Sequence, residues 1–269
     1  MYNNPCQLVG VLCDDISHPH TAALLQELHR QLNARGGNAL LVDATTDSAR
    51  QLVPLLSAAI QLSGPIAPAF RAAAGRMPLL ALDELPFDDF AAGAALGELL
   101  LAQGHQRIGY LQQANGAAAA RLDGLSSALA AAGKTLHPPL IAGRDRESGY
   151  QTVMAYLKRA RAAERIQALL CDSDLLAFGA LQAVRDFGQG AHLAVAAVGD
   201  SEEAATSTWH LTCWAQPQAL RVAEALNRLL LNRAEEDGAW RRGELRLRHS
   251  HHGKALLGEM GQCGCAIRH

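Results

Sequence analysis

The sequence predicts an α/β protein with two doubly wound, mostly parallel sheets that carry helices on both faces. Three observations favour this class. Short apolar runs alternate with helical patterns along the chain. The apolar runs lack a polar face, as expected for strands that are covered on both sides. About ten strands are expected in 269 residues, which is more than one such sheet usually holds, so we expect two lobes.

The first half of the chain sets this alternation. QLVGVLC predicts a strand and HTAALLQELHRQLNARG an amphipathic helix that ends at Gly36 and Gly37. NALLVD predicts the next strand, and the helical segment DSARQLVPLLS is interrupted by Pro54. AAIQL and PLLALD predict two further strands. A helix is expected over 88–103, followed by the strand RIGYLQ.

The second half of the chain continues this alternation of predicted strands and helices. A helix over 119–132 is closed by Gly133. Helices are then expected in ESGYQTVMAYLKRARAA, DLLAFGALQAVRDFG and PQALRVAEALNRLLLNR, and strands in QALLC and HLAVAAVG. The segment 112–118 is a plausible crossover between the lobes.

Composition excludes several classes of protein. The net charge of -2 provides no basic field for nucleic acid. The N-terminus MYNNPCQLVGVLCDD has neither a basic leader nor a long apolar core, which predicts a cytoplasmic protein without a membrane span. Cys13 and Cys171 fall in apolar strands and are expected to be reduced and buried. No CxxC pair, GxSxG elbow or phosphate-binding glycine loop is present, so we expect no cofactor and no catalysis.

Acidic side chains follow the carboxyl ends of five predicted strands. In parallel sheets these ends share one edge, where open α/β folds bind ligands. Two lobes that face each other by these edges would form a cleft lined with hydrogen-bond acceptors, which suits a polyhydroxylated ligand such as a sugar. Each position could instead be a helix N-cap. The acids that follow the five strands, with the two serines that lie among them, are Asp14, Asp15, Asp43, Asp83, Glu84, Asp172, Ser173, Asp174, Asp200, Ser201 and Glu202.

Three alternatives concern cations and metals. Arg121, with Arg144 and Arg146, could supply positive charge if the ligand carries phosphate. Asp14 and Asp15 with His18 and His20 could form the metal cluster of a hydrolase. The tail, with Cys263 and Cys265 near His249, His251 and His252, could bind a metal, although its spacing matches no standard site. We expect no metal at either place.

Five motifs resemble the effector-binding core of LacI/GalR-family transcriptional regulators. VGVLCDDISHPHTAALLQEL resembles the family's first strand, loop and helix, and PLLALDE its "iPvV.iDr" strand. DDFAAGAALGELLLAQGHQRIGYL is similar to "D...ag..a...L...GHrrIa.i", ARLDGLSSALAAAG to "R..Gf..al...g", and CDSDLLAFGALQAVRDFG to "..nD..A.Gal.al...G". Within the family, VGDSEE followed by AQPQALRVAEALNRLLL looks most like the fructose-repressor branch, also called catabolite repressor-activator.

The resemblance implies a periplasmic-binding-protein-like fold of type I, with a cleft between its lobes. It implies an N-terminal lobe of 1–112 with 216–241, a C-terminal lobe of 113–215 with 242–258, and a loosely ordered tail over 259–269. It also implies effector-binding residues, among which the acid Glu84 stands where relatives carry arginine. These are Asp15, His20, Thr21, Asp83, Glu84, Arg121, Ser173, Asp174, Asp200 and Gln216.

The resemblance further implies partners. A sugar or sugar phosphate would close the cleft and alter a homodimer. Operator DNA would be contacted only through a helix-turn-helix head, which this sequence does not contain. A free-standing cytoplasmic sugar-binding protein, or a remnant whose ligand site has decayed, are the alternatives.

Overall fold

The computed structural model describes residues 7–114, 119–188 and 192–253, and it confirms the predicted α/β class. In chain order the strands are β1 Leu8–Leu12, β2 Asn38–Val42, β3 Ala58–Gln61, β4 Leu79–Ala81, β5 Ile108–Gln113, β6 Leu140–Ala142, β7 Ala168–Cys171, β8 Ala194–Val198, β9 Thr212–Ala215 and β10 Glu244–Arg246. The α-helices are α1 Pro19–Ala34, α2 Pro68–Ala74, α3 Asp89–Ala102, α4 Ala119–Ala131, α5 Arg146–Arg159, α6 Asp174–Phe187 and α7 Gln218–Leu231.

The chain divides into two units. Unit 1 comprises Met1–Phe87 and Pro217–Arg242, and unit 2 comprises Asp88–Gln216 and Gly243–His269. The prediction had placed residues 88–112 in the first lobe. β5 nevertheless pairs with β6 and β7 inside the sheet of unit 2, and residues 112 and 113 belong to that strand rather than to a crossover. The apolar pattern of RIGYLQ identifies a buried strand but not the sheet that it joins. The predicted tail 259–269 lies outside the described residues.

Unit 1 holds a parallel sheet in the order β2-β1-β3-β4. Alternate side chains of β1 point to opposite faces, so Val9 and Val11 pack towards α1 and α7, whereas Leu12 packs with Phe70 of α2. Both faces are therefore covered, which explains the continuous apolar strands. The segment Asp47–Leu55 is a 3-10 helix rather than an α-helix, and Pro54 lies inside it near its C-terminal end.

Unit 2 holds six strands in the order β10-β9-β8-β7-β5-β6. All neighbouring pairs are parallel except β9 with β10. Leu169 and Cys171 of β7 contribute to the core under α5 and α6, while Leu170 contributes to the core under α3 and α4. Cys13, Cys171 and Cys213 are buried free thiols, in agreement with the expectation for the first two. Within the described part of the chain, no helix has the length and apolar character that crossing a membrane would require.

Helices α3 and α4 meet at their backbones. A methyl group on Gly93 would overlap the carbonyl oxygen of Arg121, and one on Gly124 would overlap that of Phe90. Glycine at both positions lets the helices approach closely enough to bring the first turn of α3 beside Arg121 in α4. This contact positions one side of the candidate site in unit 2.

Candidate functional site

The carboxyl-end edge of the unit 1 sheet is lined with carboxylates. Asp14 Oδ1 accepts a hydrogen bond from Ser63 Oγ at 2.7 Å. Asp15 Oδ1 accepts from the backbone N of Ser17 at 2.9 Å and from its hydroxyl at 2.6 Å. The hydroxyl bond to Ser17 lowers the pKa of Asp15. Asp43 Oδ1 likewise accepts hydrogen bonds from the backbone N and the hydroxyl of Thr45, and the hydroxyl bond lowers the pKa of Asp43. These acids follow β1 and β2, as predicted.

The other predicted residues of unit 1 also lie at this edge. His20 and Thr21 are in the first turn of α1, where His20 is exposed and Thr21 is buried. Asp83 and Glu84 are exposed in the 3-10 turn that follows β4. Glu84 Oε1 accepts a hydrogen bond from the backbone N of Ala81 at 3.2 Å, so it caps the turn. The edge therefore presents mainly acceptor oxygens.

Unit 2 holds a buried ion-pair network around Arg121. The guanidinium donates through Nη1 to Asp172 Oδ1 at 2.9 Å and through Nη2 to Asp89 Oδ1 at 2.7 Å. Asp172 also accepts from the hydroxyl of Tyr110, and its Oδ2 accepts from the backbone N of Gln113 at 2.7 Å. Gln216 Nε2 donates to Asp89 Oδ1 at 3.3 Å. Arg121 is buried and paired with two carboxylates, so it differs from the unpaired cation that a phosphate-bearing ligand would require.

Ser173 and Asp174 open helix α6 beside this network. The Ser173 side chain caps the helix by accepting from the backbone N of Leu176 at 3.4 Å. Asp174 is buried and accepts from the backbone N of Ser201 at 2.7 Å. Burial raises the pKa of Asp174 despite that hydrogen bond. A side chain on Gly199 would come within 2.7 Å of Asp174 Oδ1, and Gly199 has a φ of 116°, so only glycine fits there.

Asp200, after β8, forms a further ion pair at this edge. Its Oδ1 accepts from Arg248 Nη2 at 2.6 Å. Arg248 lies beyond β10 and also donates through Nη1 to the carbonyl of Leu211 at 2.6 Å. The two arginines of the edge thus reach their carboxylates from distant parts of the chain.

Sequence analysis did not include Asp89, Tyr110, Gln113 and Arg248 among the site residues. Of these four, only Asp89 could have been suspected from the sequence, because it follows Asp88 at the start of a predicted helix. An acid at that position is also an ordinary helix cap, so it does not by itself indicate a site. The others are contributed by segments 48 to 62 residues away from their partners. Such pairings become visible only once the strand order is known.

The histidines of the C-terminal segment perform a structural role in the described residues. His251 Nδ1 lies 2.7 Å from Thr212 Oγ1, and its carbonyl lies 2.9 Å from Nε2 of His105. Across residues 7–114, 119–188 and 192–253, no group of three or more His, Cys, Asp or Glu side chains could hold a metal ion. Asp14, Asp15, His18 and His20 are therefore not part of such a group, whereas Cys263 and Cys265 lie outside the described residues.

His251 makes the stability of the protein depend on pH. Burial, with His252, His105 and His249 nearby, lowers its pKa to about 4. The unfolded chain takes up this proton near pH 6.5 and the folded chain only near pH 4, so the free energy of unfolding should fall as the pH drops through that window. Urea unfolding at pH 7 and pH 5 measures the loss. His251→Asn should reduce it, and an unchanged pH dependence in the variant would contradict this role.

Comparison with known proteins gives the family. The model of the periplasmic binding protein-like domain matches residues 98–250, which is more than half of the chain. This chain belongs to the periplasmic binding protein-like domain family. No curated protein sequence matches it significantly.

Solved structures share the fold of this family member. A LacI family transcriptional regulator from Enterococcus faecium with bound ribose is 22% identical, with a TM-score of 0.75 over 91% of this chain and 98% of that one. A regulator of the same family from Arthrobacter sp. FB24 in complex with lactose is 21% identical, with a TM-score of 0.75 and coverage of 91% and 99%. The lac repressor dimer bound to operator and the anti-inducer ONPF is 20% identical, with a TM-score of 0.74 and coverage of 92% and 95%.

Proposed function

We propose that this chain is the effector-binding domain of a LacI-type transcriptional regulator and that its effector is a sugar. The observation that carries the proposal is the placement of carboxylate and hydroxyl side chains at the carboxyl ends of parallel strands in both units. An ionised carboxylate accepts hydrogen bonds and donates none, which suits a ligand rich in hydroxyl donors. Structures of the same fold with bound ribose and lactose support this ligand class.

The proposed mechanism is ligand binding rather than catalysis. The acids of unit 2 are held in ion pairs, caps or turns, which suits fixed acceptors better than groups that transfer protons. A bound sugar would favour one conformation of the chain over others, and a conformational change of that kind is how an effector alters a regulator. The ten residues predicted from the family resemblance are the proposed contacts, and cytoplasmic location is part of the proposal.

Dimer formation and DNA binding complete the proposed function. The lac repressor of the same fold is a dimer on its operator, which supports pairing of two copies of this chain. We propose that operator DNA is contacted by a helix-turn-helix head joined to such a pair.

Thermal unfolding with a panel of sugars tests the proposed function. A ligand that binds only the folded state raises the midpoint by mass action, and a concentration 100 times Kd adds about 2.7 kcal/mol to the free energy of unfolding. We expect at least one of ribose, lactose, glucose and fructose to do so. Trimethylamine N-oxide at the same concentration controls for general osmolyte stabilisation. A panel in which no sugar exceeds this control would contradict the proposal.

A further inference from the structure

Asp89 presents a carboxylate oxygen that the protein leaves available. Its Oδ1 accepts from Arg121 Nη2 at 2.7 Å and from Gln216 Nε2 at 3.3 Å. Within the described residues, no donor reaches its Oδ2. About a quarter of the side chain is accessible, at 24%, whereas that of Asp172 on the other side of Arg121 is only 5% accessible. Of the two carboxylates that Arg121 holds, Asp89 is therefore the one that a ligand can reach.

Asp200 repeats the arrangement at the end of β8. Its Oδ1 accepts from Arg248 Nη2 at 2.6 Å and lies 3.4 Å from the thiol of Cys213. Its side chain is 25% accessible, and among described residues no donor to Oδ2 is found. The two carboxylates thus share a geometry in which an arginine fixes one oxygen and the other oxygen is open.

The arginines that hold these carboxylates are themselves occupied. Arg121 donates through Nη1 to both the carbonyl and the carboxylate of Asp172, and its side chain is only 11% accessible. Arg248 donates through Nη1 to the carbonyl of Leu211 and the sulfur of Cys213. An anion that recruited Arg121 would leave the buried Asp172 without its counter-ion, which is strongly unfavourable.

We propose that Asp89 is an effector-contacting residue, and that with Asp200 it selects an unphosphorylated polyhydroxylated compound over its phosphate ester. This inference rests on the proposed function and assigns its ligand class. Each free oxygen accepts a hydroxyl hydrogen bond of the charge-assisted kind. A phosphate group beside either carboxylate meets like charge, while Arg121 and Arg248 are already held in ion pairs with these carboxylates and Arg146 is paired with Glu203.

Calorimetric titration of the full chain tests the assignment. The probes are ribose, glucose, fructose and glucosamine, each compared with its phosphate ester. The wild type should bind the unphosphorylated member of a pair at least about tenfold more tightly. Asp89→Asn keeps the shape of the side chain but removes the charge, and it should weaken binding by about tenfold or more.

Asp237→Asn is the matched control, because it removes an aspartate from an exposed pair with Arg242 in unit 1. It should leave affinity unchanged. Should Asp89→Asn fail to fold, Asp89→Glu keeps the charge and displaces the carboxylate, and it should show the same loss. Tighter binding of a phosphate ester by the wild type would overturn the inference while the proposed function stands. Equal affinity of the wild type and the Asp89 variant would also overturn it. If no probe binds the folded wild type, both proposals fail.

Discussion

Replacing Arg121 by methionine should lower the free energy of unfolding of unit 2 by about 3–5 kcal/mol, because it leaves the buried carboxylate of Asp172 without its counter-ion. Methionine preserves most of the side-chain volume, so the loss reports the charge rather than a cavity. Tyr110 and the backbone N of Gln113 would still donate to Asp172, but neither brings positive charge. Urea unfolding followed by the fluorescence of Trp209 and Trp214, both in unit 2, measures this loss.

The matched control is Arg30→Met. Arg30 forms an ion pair with Glu27 on the exposed face of α1, and its side chain is 65% accessible. Exposed pairs of this kind contribute about 0–1 kcal/mol. If Arg121→Met costs no more than Arg30→Met, the network in unit 2 is not the buried ionic centre that the geometry indicates.

Gly124→Ala should destabilise unit 2 by about 3 kcal/mol or more, at the upper end of the range for overpacked cores. The added methyl group would overlap the carbonyl oxygen of Phe90 and lie 2.9 Å from the backbone N of Ala94. Both are main-chain atoms of α3, so α3 and α4 would have to separate. On an open helix face the same substitution stabilises by about 0.5–1 kcal/mol, so the sign of the effect is itself informative.

Gly97→Ala provides the comparison on the same pair of helices. There the new methyl group would meet mainly the flexible end of Leu125 at 2.9 Å, which can move. A smaller loss is expected, and thermal unfolding of the two variants side by side measures the difference. A Gly124→Ala variant as stable as the wild type would mean that α3 and α4 are not in backbone contact, and Asp89 would then not be held beside Arg121.

Much of the fold could be predicted from the sequence because its signals are local. The alternation of apolar runs with helical periodicity identified seven strands and most helices, and the acids were correctly placed at the carboxyl-end edge of both sheets. Helix α2, PAFRAAA, was missed because seven residues carry too little periodicity. β6, β9 and β10 are three- or four-residue strands without a distinctive pattern.

The partners within the site could not be predicted, because they depend on contacts distant in sequence. Asp172 and Arg121 are 51 residues apart, and Asp200 and Arg248 are 48 residues apart. Sequence analysis could place Arg121 near the edge but had no means of showing that Asp89 and Asp172 already engage it. The boundary between the lobes could not be predicted for the same reason, because β5 pairs with β7, a strand that lies far from it in the sequence.

Calorimetric titration of unphosphorylated sugars into the folded chain tests the central claim most directly. We expect saturable binding of at least one sugar with one molecule per chain, and a weaker response from the phosphate ester of that sugar. A folded protein that shows no saturable heat with any of the sugars would contradict the assignment of these edges to effector binding.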